Sequence, residues 1–116
     1  VFVALLSWPL GAAGSQAAPA PATPATAAQI AEGAKVFAAQ KCSICHSIAG
    51  VGNKKLPLDG VGAKLTSDQI REWITHPVEA AKKADSTAKP PMRAYPKLAK
   101  PELDALVAYM KSLDKK

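Results

Sequence analysis

Residues 42–46 read Cys42-Ser43-Ile44-Cys45-His46. On one helical turn, positions i, i+3 and i+4 share a face, so Cys42, Cys45 and His46 all point one way. The chain has 2 cysteines in 116 residues, and both lie in this turn. Several chemistries compete for such a set. A Cys42–Cys45 disulfide would fit an oxidising compartment. A thioredoxin-type redox pair needs a βαβ context, which the flanking sequence lacks. A zinc site wants four ligands. Cys42, Cys45, His46 and His76 could be drafted for it, but neighbouring ligands at 45 and 46 strain a tetrahedral cage.

The pattern C-x-x-C-H is also the attachment motif for a c-type haem. Two thiols add to the two vinyl groups of the porphyrin, and the adjacent imidazole reaches the iron from the same side. Covalent attachment keeps the cofactor in place through both oxidation states and supplies apolar core. That core is needed, because a domain this short is marginal on apolar burial alone. Its large aromatics are only Phe37, Trp73, Tyr95 and Tyr109. Iron has a second axial position, for which the chain offers Met92, Met110 and His76. Met110 lies on the apolar stripe of a helix and is read as core. Met92 sits in Lys89-Pro90-Pro91-Met92-Arg93-Ala94-Tyr95-Pro96, where prolines restrict the loop and help to hold a weak thioether–iron bond. Met92 is assigned as distal ligand. His76 is the competitor, at a helix end where a histidine often meets free carbonyls. His/Met ligation raises the reduction potential relative to harder ligand sets.

Outward from the motif the sequence reads as helices joined by long loops. From Ala28 to about Lys41, Ile30, Ala34, Phe37 and Ala38 recur at helical spacing. Gly33 lies on that face. It costs about 1 kcal/mol against alanine inside a helix, which close approach of another helix would offset. Thr66-x-x-Gln69 is a capping box opening a helix that bears Ile70, Trp73 and Ile74 and stops at Pro77. A last helix runs from Pro101, suited to a first helical position, to about Leu113. Its stripe is Leu103, Leu106, Val107 and Met110. No segment alternates as a strand, so the fold class is all-α.

Residues 1–17 include an uncharged apolar stretch followed by small residues, as in the back half of a secretory signal peptide. The rival reading is a membrane anchor. Pro9 interrupts the run, which is short of the roughly 20 residues a spanning helix needs. Residues 18–28 form an Ala/Pro/Thr linker, and 29–116 the folded domain. Export places the protein in the periplasm, at a membrane only if the leading segment is kept. All 15 Lys+Arg and 9 Asp+Glu follow residue 31, for a net charge of +6. The lysines are scattered, with no nucleic-acid motif, and the balance favours an acidic protein face.

Over about residues 29–113 the constellation resembles a class I c-type cytochrome, a small all-α fold of three to five helices wrapped around one covalently bound haem c. Gly33 and Phe37 precede Cys42–His46. Pro57-Leu58-Asp59-Gly60-Val61-Gly62 follows, then Trp73, then Met92 with Tyr95 and Pro96, then Leu106 and Tyr109. The resemblance implies that Gly33 and Phe37 meet the last helix near Leu106 and Tyr109. It implies that the Pro57 carbonyl accepts the Nδ1 proton of His46, fixing the ring and raising its basicity. Trp73 would lie near the haem propionates, and Tyr95 near the cofactor. Leu56 stands where the family often has glycine, and Arg93 where it commonly has proline.

The function expected is electron carriage, with iron ligated by His46 and Met92 and no catalytic residue. Redox protein partners would be steered by Lys54, Lys55, Lys89, Arg93 and Lys97, in docking that is fast, weak and salt-sensitive. A monomer is expected. A tethered subunit of a dehydrogenase or oxidase is the alternative. A peroxidase-like enzyme would need Met92 to leave the iron, and the sequence supplies no distal acid–base pair for it.

Overall fold

The computed structural model describes residues 25–115. The signal-peptide reading, and the linker reading as far as residue 24, lie outside them. Five helices are present among the described residues: α1 (Ala27–Ala39), α2 (Val61–Lys64), α3 (Ser67–Thr75), α4 (Pro77–Lys83) and α5 (Lys100–Ser112). A 3-10 turn spans Cys42–Ile44. Two short strands, β1 (Ser47–Ile48) and β2 (Val51–Gly52), pair antiparallel with Ser47 opposite Gly52. The helices agree with the all-α expectation; the small hairpin was not anticipated.

Helix α1 starts two residues inside the stretch read as linker. Thr26 caps it, its hydroxyl accepting the Gln29 N–H at 3.1 Å. Pro24 is the last residue there that forbids a helix. The buried residues of α1 are Gly33 and Val36, and Phe37 is half-buried, while Ala38 is exposed. Ile30 and Ala34 are half-buried as expected, and the packed face runs through 30, 33, 34, 36, 37 and 40, taking in Val36 and leaving Ala38 out. The cause is Gly33. A methyl there would overlap the backbone of Ala105 and the Cβ of Tyr109. The helices cross at this point, and the face follows the crossing. Phe37 and Tyr109 close it edge to face, with ring centroids 5.9 Å apart and planes at 77°, a geometry the ring quadrupoles favour.

The other end of α5 holds α2. A methyl on Gly62 would overlap the Lys111 backbone, and the Gly62 N–H donates to Leu113 O at 2.8 Å. The Lys111 ammonium donates to Gly62 O and Leu65 O at 2.7 and 2.9 Å, satisfying carbonyls freed where α2 ends. Helix α3 opens with the reciprocal box read from its sequence. The Gln69 N–H donates to Thr66 Oγ1 at 3.2 Å, and the Thr66 N–H to Gln69 Oε1 at 2.8 Å. Ile70 and Ile74 are buried against α5, and Arg71 pairs with Asp104 at 2.8 Å. Pro77 ends α3, as expected, but it also begins α4, because a first helical residue needs no N–H.

Residues 84–99 connect α4 to α5 without helix or strand. They contain a cis Lys89–Pro90 peptide. Tyr95 ties this loop down, its N–H donating to Ile74 O at 2.8 Å and its hydroxyl to Gln40 O at 3.3 Å. The buried cluster is Val36, Ile70, Ile74, Leu106, Val107 and Met110, with Met92, Tyr95 and Leu58 partly buried against it. No large side chain among the described residues is less than 2% exposed. No described helix is long and apolar enough to cross a membrane.

Candidate functional site

The attachment turn hangs from the end of α1. Gln40 closes the helix, and Lys41 takes a left-handed conformation at φ 56° that redirects the chain. Cys42–Ile44 then wind one tight turn. The Cys45 N–H donates to Cys42 O at 3.2 Å and the His46 N–H to the same oxygen at 3.0 Å. Cys42, Cys45 and His46 are thereby gathered on one turn by its own backbone. Cys42 is half-buried, Cys45 is exposed, and neither is in a disulfide. The disulfide alternative finds no support in this geometry. Burial pushes the Cys42 thiol above the usual thiol range. Its own backbone hydrogen bond opposes the shift, and charge on Cys45 adds to it.

His46 is oriented through Nδ1, which lies 3.0 Å from the carbonyl oxygen of Leu56. A carbonyl only accepts, so Nδ1 carries the proton and Nε2 keeps its lone pair in the neutral ring. The resemblance assigned this carbonyl to Pro57, and the structure moves it back by one residue. Residues 56–58 run extended beside Ser47, in a parallel bridge of Ser47 with Pro57. The Ser47 N–H meets Leu56 O at 3.4 Å, and the Leu58 N–H donates to Ser47 O at 2.8 Å. Successive carbonyls alternate in direction along an extended segment, so Leu56 O faces His46 and Pro57 O faces away. The following turn is fixed by Asp59, whose carboxylate accepts the Ala49 N–H at 2.9 Å.

Met92 is half-buried and packs on the buried cluster. Tyr95, three residues on, has its hydroxyl pushed above the ordinary phenol range, by burial first and then by charge on Cys42; Arg93 opposes this and Cys45 adds to it. The Tyr95 hydroxyl bond to Gln40 O ties the Met92 loop to the end of α1, from which the cysteine turn hangs. Trp73 is half-buried on α3, its indole N–H without a partner among the described residues. His76 is exposed at the α3–α4 junction. The Thr75 hydroxyl gives its proton to Arg71 O at 2.8 Å, so it accepts from His76 Nδ1 at 2.9 Å. His76 thus bonds a side-chain hydroxyl where free carbonyls were expected. A groove of about 500 Å³ lined by Gln40, Tyr95, Lys97, Leu98 and Glu102 includes none of the cysteines, His46 or Met92. Leu56 is the participant the sequence reading missed.

The donor set suits a porphyrin iron. Two unpaired thiols stand at i and i+3, and the imidazole's Nδ1 is already bonded to the Leu56 carbonyl, which leaves Nε2 as the nitrogen free to ligate. A small helical domain with this arrangement is a haem-binding electron-transfer protein. A family model described as Cytochrome c matches residues 30–114, and the chain belongs to the cytochrome c family, consistent with a small class I member and one covalent haem c. Searches of curated proteins and of solved structures found no match.

Proposed function

We propose that this chain is an exported, monomeric one-electron carrier of the periplasm, and that its redox partner presents an acidic face. The observation that carries the reading is the His46–Leu56 hydrogen bond, which leaves Nε2 as a ready axial donor beside two free thiols. When bound, haem c supplies the exchange of one electron between Fe(II) and Fe(III). Cys42 and Cys45 would hold it covalently, and His46 and Met92 would ligate its iron. The Leu56 carbonyl, by drawing on the Nδ1 proton, makes the imidazole a stronger donor. Tyr95 holds the Met92 loop to α1 and α3, so the thioether stays where a ligand is needed and small molecules are kept out. Trp73 has an indole N–H available for a propionate. Pro57 contributes through its place in the extended segment that aims Leu56. Lys54, Lys55, Lys89, Arg93 and Lys97 are all exposed and would draw an acidic partner at rates that fall as salt screens the attraction. Membrane tethering as part of a larger redox complex remains an alternative mode of the same chemistry.

The Fe(III) absorption spectrum of the purified holoprotein tests the assignment. A methionine-to-iron charge-transfer band at the red end of the visible range, abolished in Met92→Ala and kept in His76→Ala, is the expected result. A high-spin spectrum, or a band unaffected by Met92→Ala, defeats the ligand assignment and with it the simple carrier.

A further inference from the structure

The segment between β2 and Pro57 contains one residue that bonds the attachment turn through both its main chain and its side chain. The Asn53 N–H is shared between Ser43 O at 3.0 Å and His46 O at 3.1 Å. Its side-chain amide donates to Ile44 O at 3.0 Å, and its side-chain oxygen accepts the Lys55 N–H at 3.0 Å. Asn53 therefore bonds the carbonyls of Ser43, Ile44 and His46 and also shapes the loop leading to Leu56. We propose that Asn53 is the positioning residue of this site. It clamps the cysteine–histidine turn to the loop whose Leu56 carbonyl orients His46, and so sets the strength of that hydrogen bond. This rests on the reading of His46 as the axial donor.

The residue type follows from the contacts. The side chain must give a proton to one carbonyl and take one from a main-chain amide across a single short loop. A carboxamide on a one-carbon stem does both. Aspartate would turn an oxygen toward the Ile44 carbonyl, and alanine would leave both groups to water. The main-chain bond to Ser43 and His46 survives either substitution, so the turn would loosen without being lost. Three atoms downstream of Lys55 N, the loop reaches Leu56, which gives the clamp a short covalent lever on His46.

A looser clamp weakens the Nδ1–H to Leu56 bond. The imidazole then donates less strongly, the oxidised state loses support relative to the reduced one, and the reduction potential rises. The experiment compares wild-type, Asn53→Ala and Thr66→Ala holoproteins by redox titration and by NMR of the His46 Nδ1 proton. Thr66→Ala removes the α3 cap at a distance from the turn and controls for loss of stability without loss of the clamp. The expected result is a higher potential and a shifted Nδ1–H resonance in Asn53→Ala, with both unchanged in Thr66→Ala. Unchanged values in Asn53→Ala, or equal shifts in the two variants, overturn the proposal. If Asn53→Ala yields too little holoprotein, Asn53→Ser is titrated in its place, and the same two readouts decide. The wild-type methionine band tests the distal ligand separately, so failure of Met92 and failure of Asn53 are told apart.

Discussion

The α1–α5 crossing and the Met92 loop are held by different forces. At the crossing, shape decides: Gly33 lets two backbones touch, and Phe37 meets Tyr109 in a fixed ring geometry. In residues 84–99 there is no regular element; Met92, Tyr95 and Leu98 lie half-buried on the core, and Tyr95 adds two hydrogen bonds that tie the segment to α1 and α3. The difference separates two kinds of sensitivity. Changing the crossing costs the fold, because close-packed backbone has nowhere to move. Removing one of the loop's tethers should cost less, because an irregular segment held by half-buried contacts and single hydrogen bonds opens locally at lower free energy than a backbone crossing. The site draws one proposed ligand from each regime: His46 hangs from the end of α1, and Met92 rides on the loop.

The largest effect is expected at Gly33. Gly33→Ala forces a methyl into the Ala105 backbone and should destabilise the holoprotein by about 3 kcal/mol, the upper end for overpacking. Urea unfolding followed by far-UV circular dichroism measures it, and the methionine band of the molecules still folded should persist. A loss well under 1 kcal/mol would mean the crossing yields more readily than its geometry indicates. Next comes Tyr95→Phe, which deletes the hydroxyl bond to Gln40 and weakens the loop by about 1 kcal/mol. Binding of free imidazole to the oxidised protein should tighten about fivefold with little change in the global unfolding midpoint. An unchanged affinity would show that the main-chain bond from Tyr95 to Ile74 holds the loop unaided.

The smallest effect sits on the frame's surface. Asp104 is held below the ordinary carboxylate range by its hydrogen bond from Lys100 and, despite some burial, by Arg71. Its folded pKa is depressed, so the stabilisation is present above the unfolded carboxylate pKa and disappears as pH falls through the folded value. Asp104→Asn should therefore lose stability at neutral pH, by less than about 1 kcal/mol for a solvent-screened cluster, and match the wild type in strong acid. Thermal melts of both proteins across that pH range check the sign. A gap that widens toward acid would contradict it.

Much of this was legible in the chain. The Cys42–His46 spacing, the Thr66–Gln69 box and the apolar stripe of α5 are local signals, set by helical geometry and neighbouring residues. Gly33 announced a close crossing, because a glycine in an otherwise good helix needs a compensating contact. Other features were not legible. Pro77 read as a stop, yet the same property that ends one helix lets it start the next. Thr26 and Gln29 repeat the pattern of Thr66 and Gln69 but sit beside a proline tract, and the helix start was placed late. The packed face of α1 kept Ile30, Ala34 and Phe37 but took in Val36 and left out Ala38, because the position of α5 selects the edge of the face.

By itself, then, the chain dictated its chemistry and most of its helices: thiols and imidazole on one turn, a methionine among prolines, caps and stripes at helical period. Tertiary structure decided which groups complete the site. Leu56 and not Pro57 faces His46 because the direction of a carbonyl depends on how residues 56–58 register against Ser47, and Asn53 reaches the turn only once that loop has folded back. Propensity and spacing act over a few residues. The aim of a hydrogen bond between segments is fixed by the whole path between them.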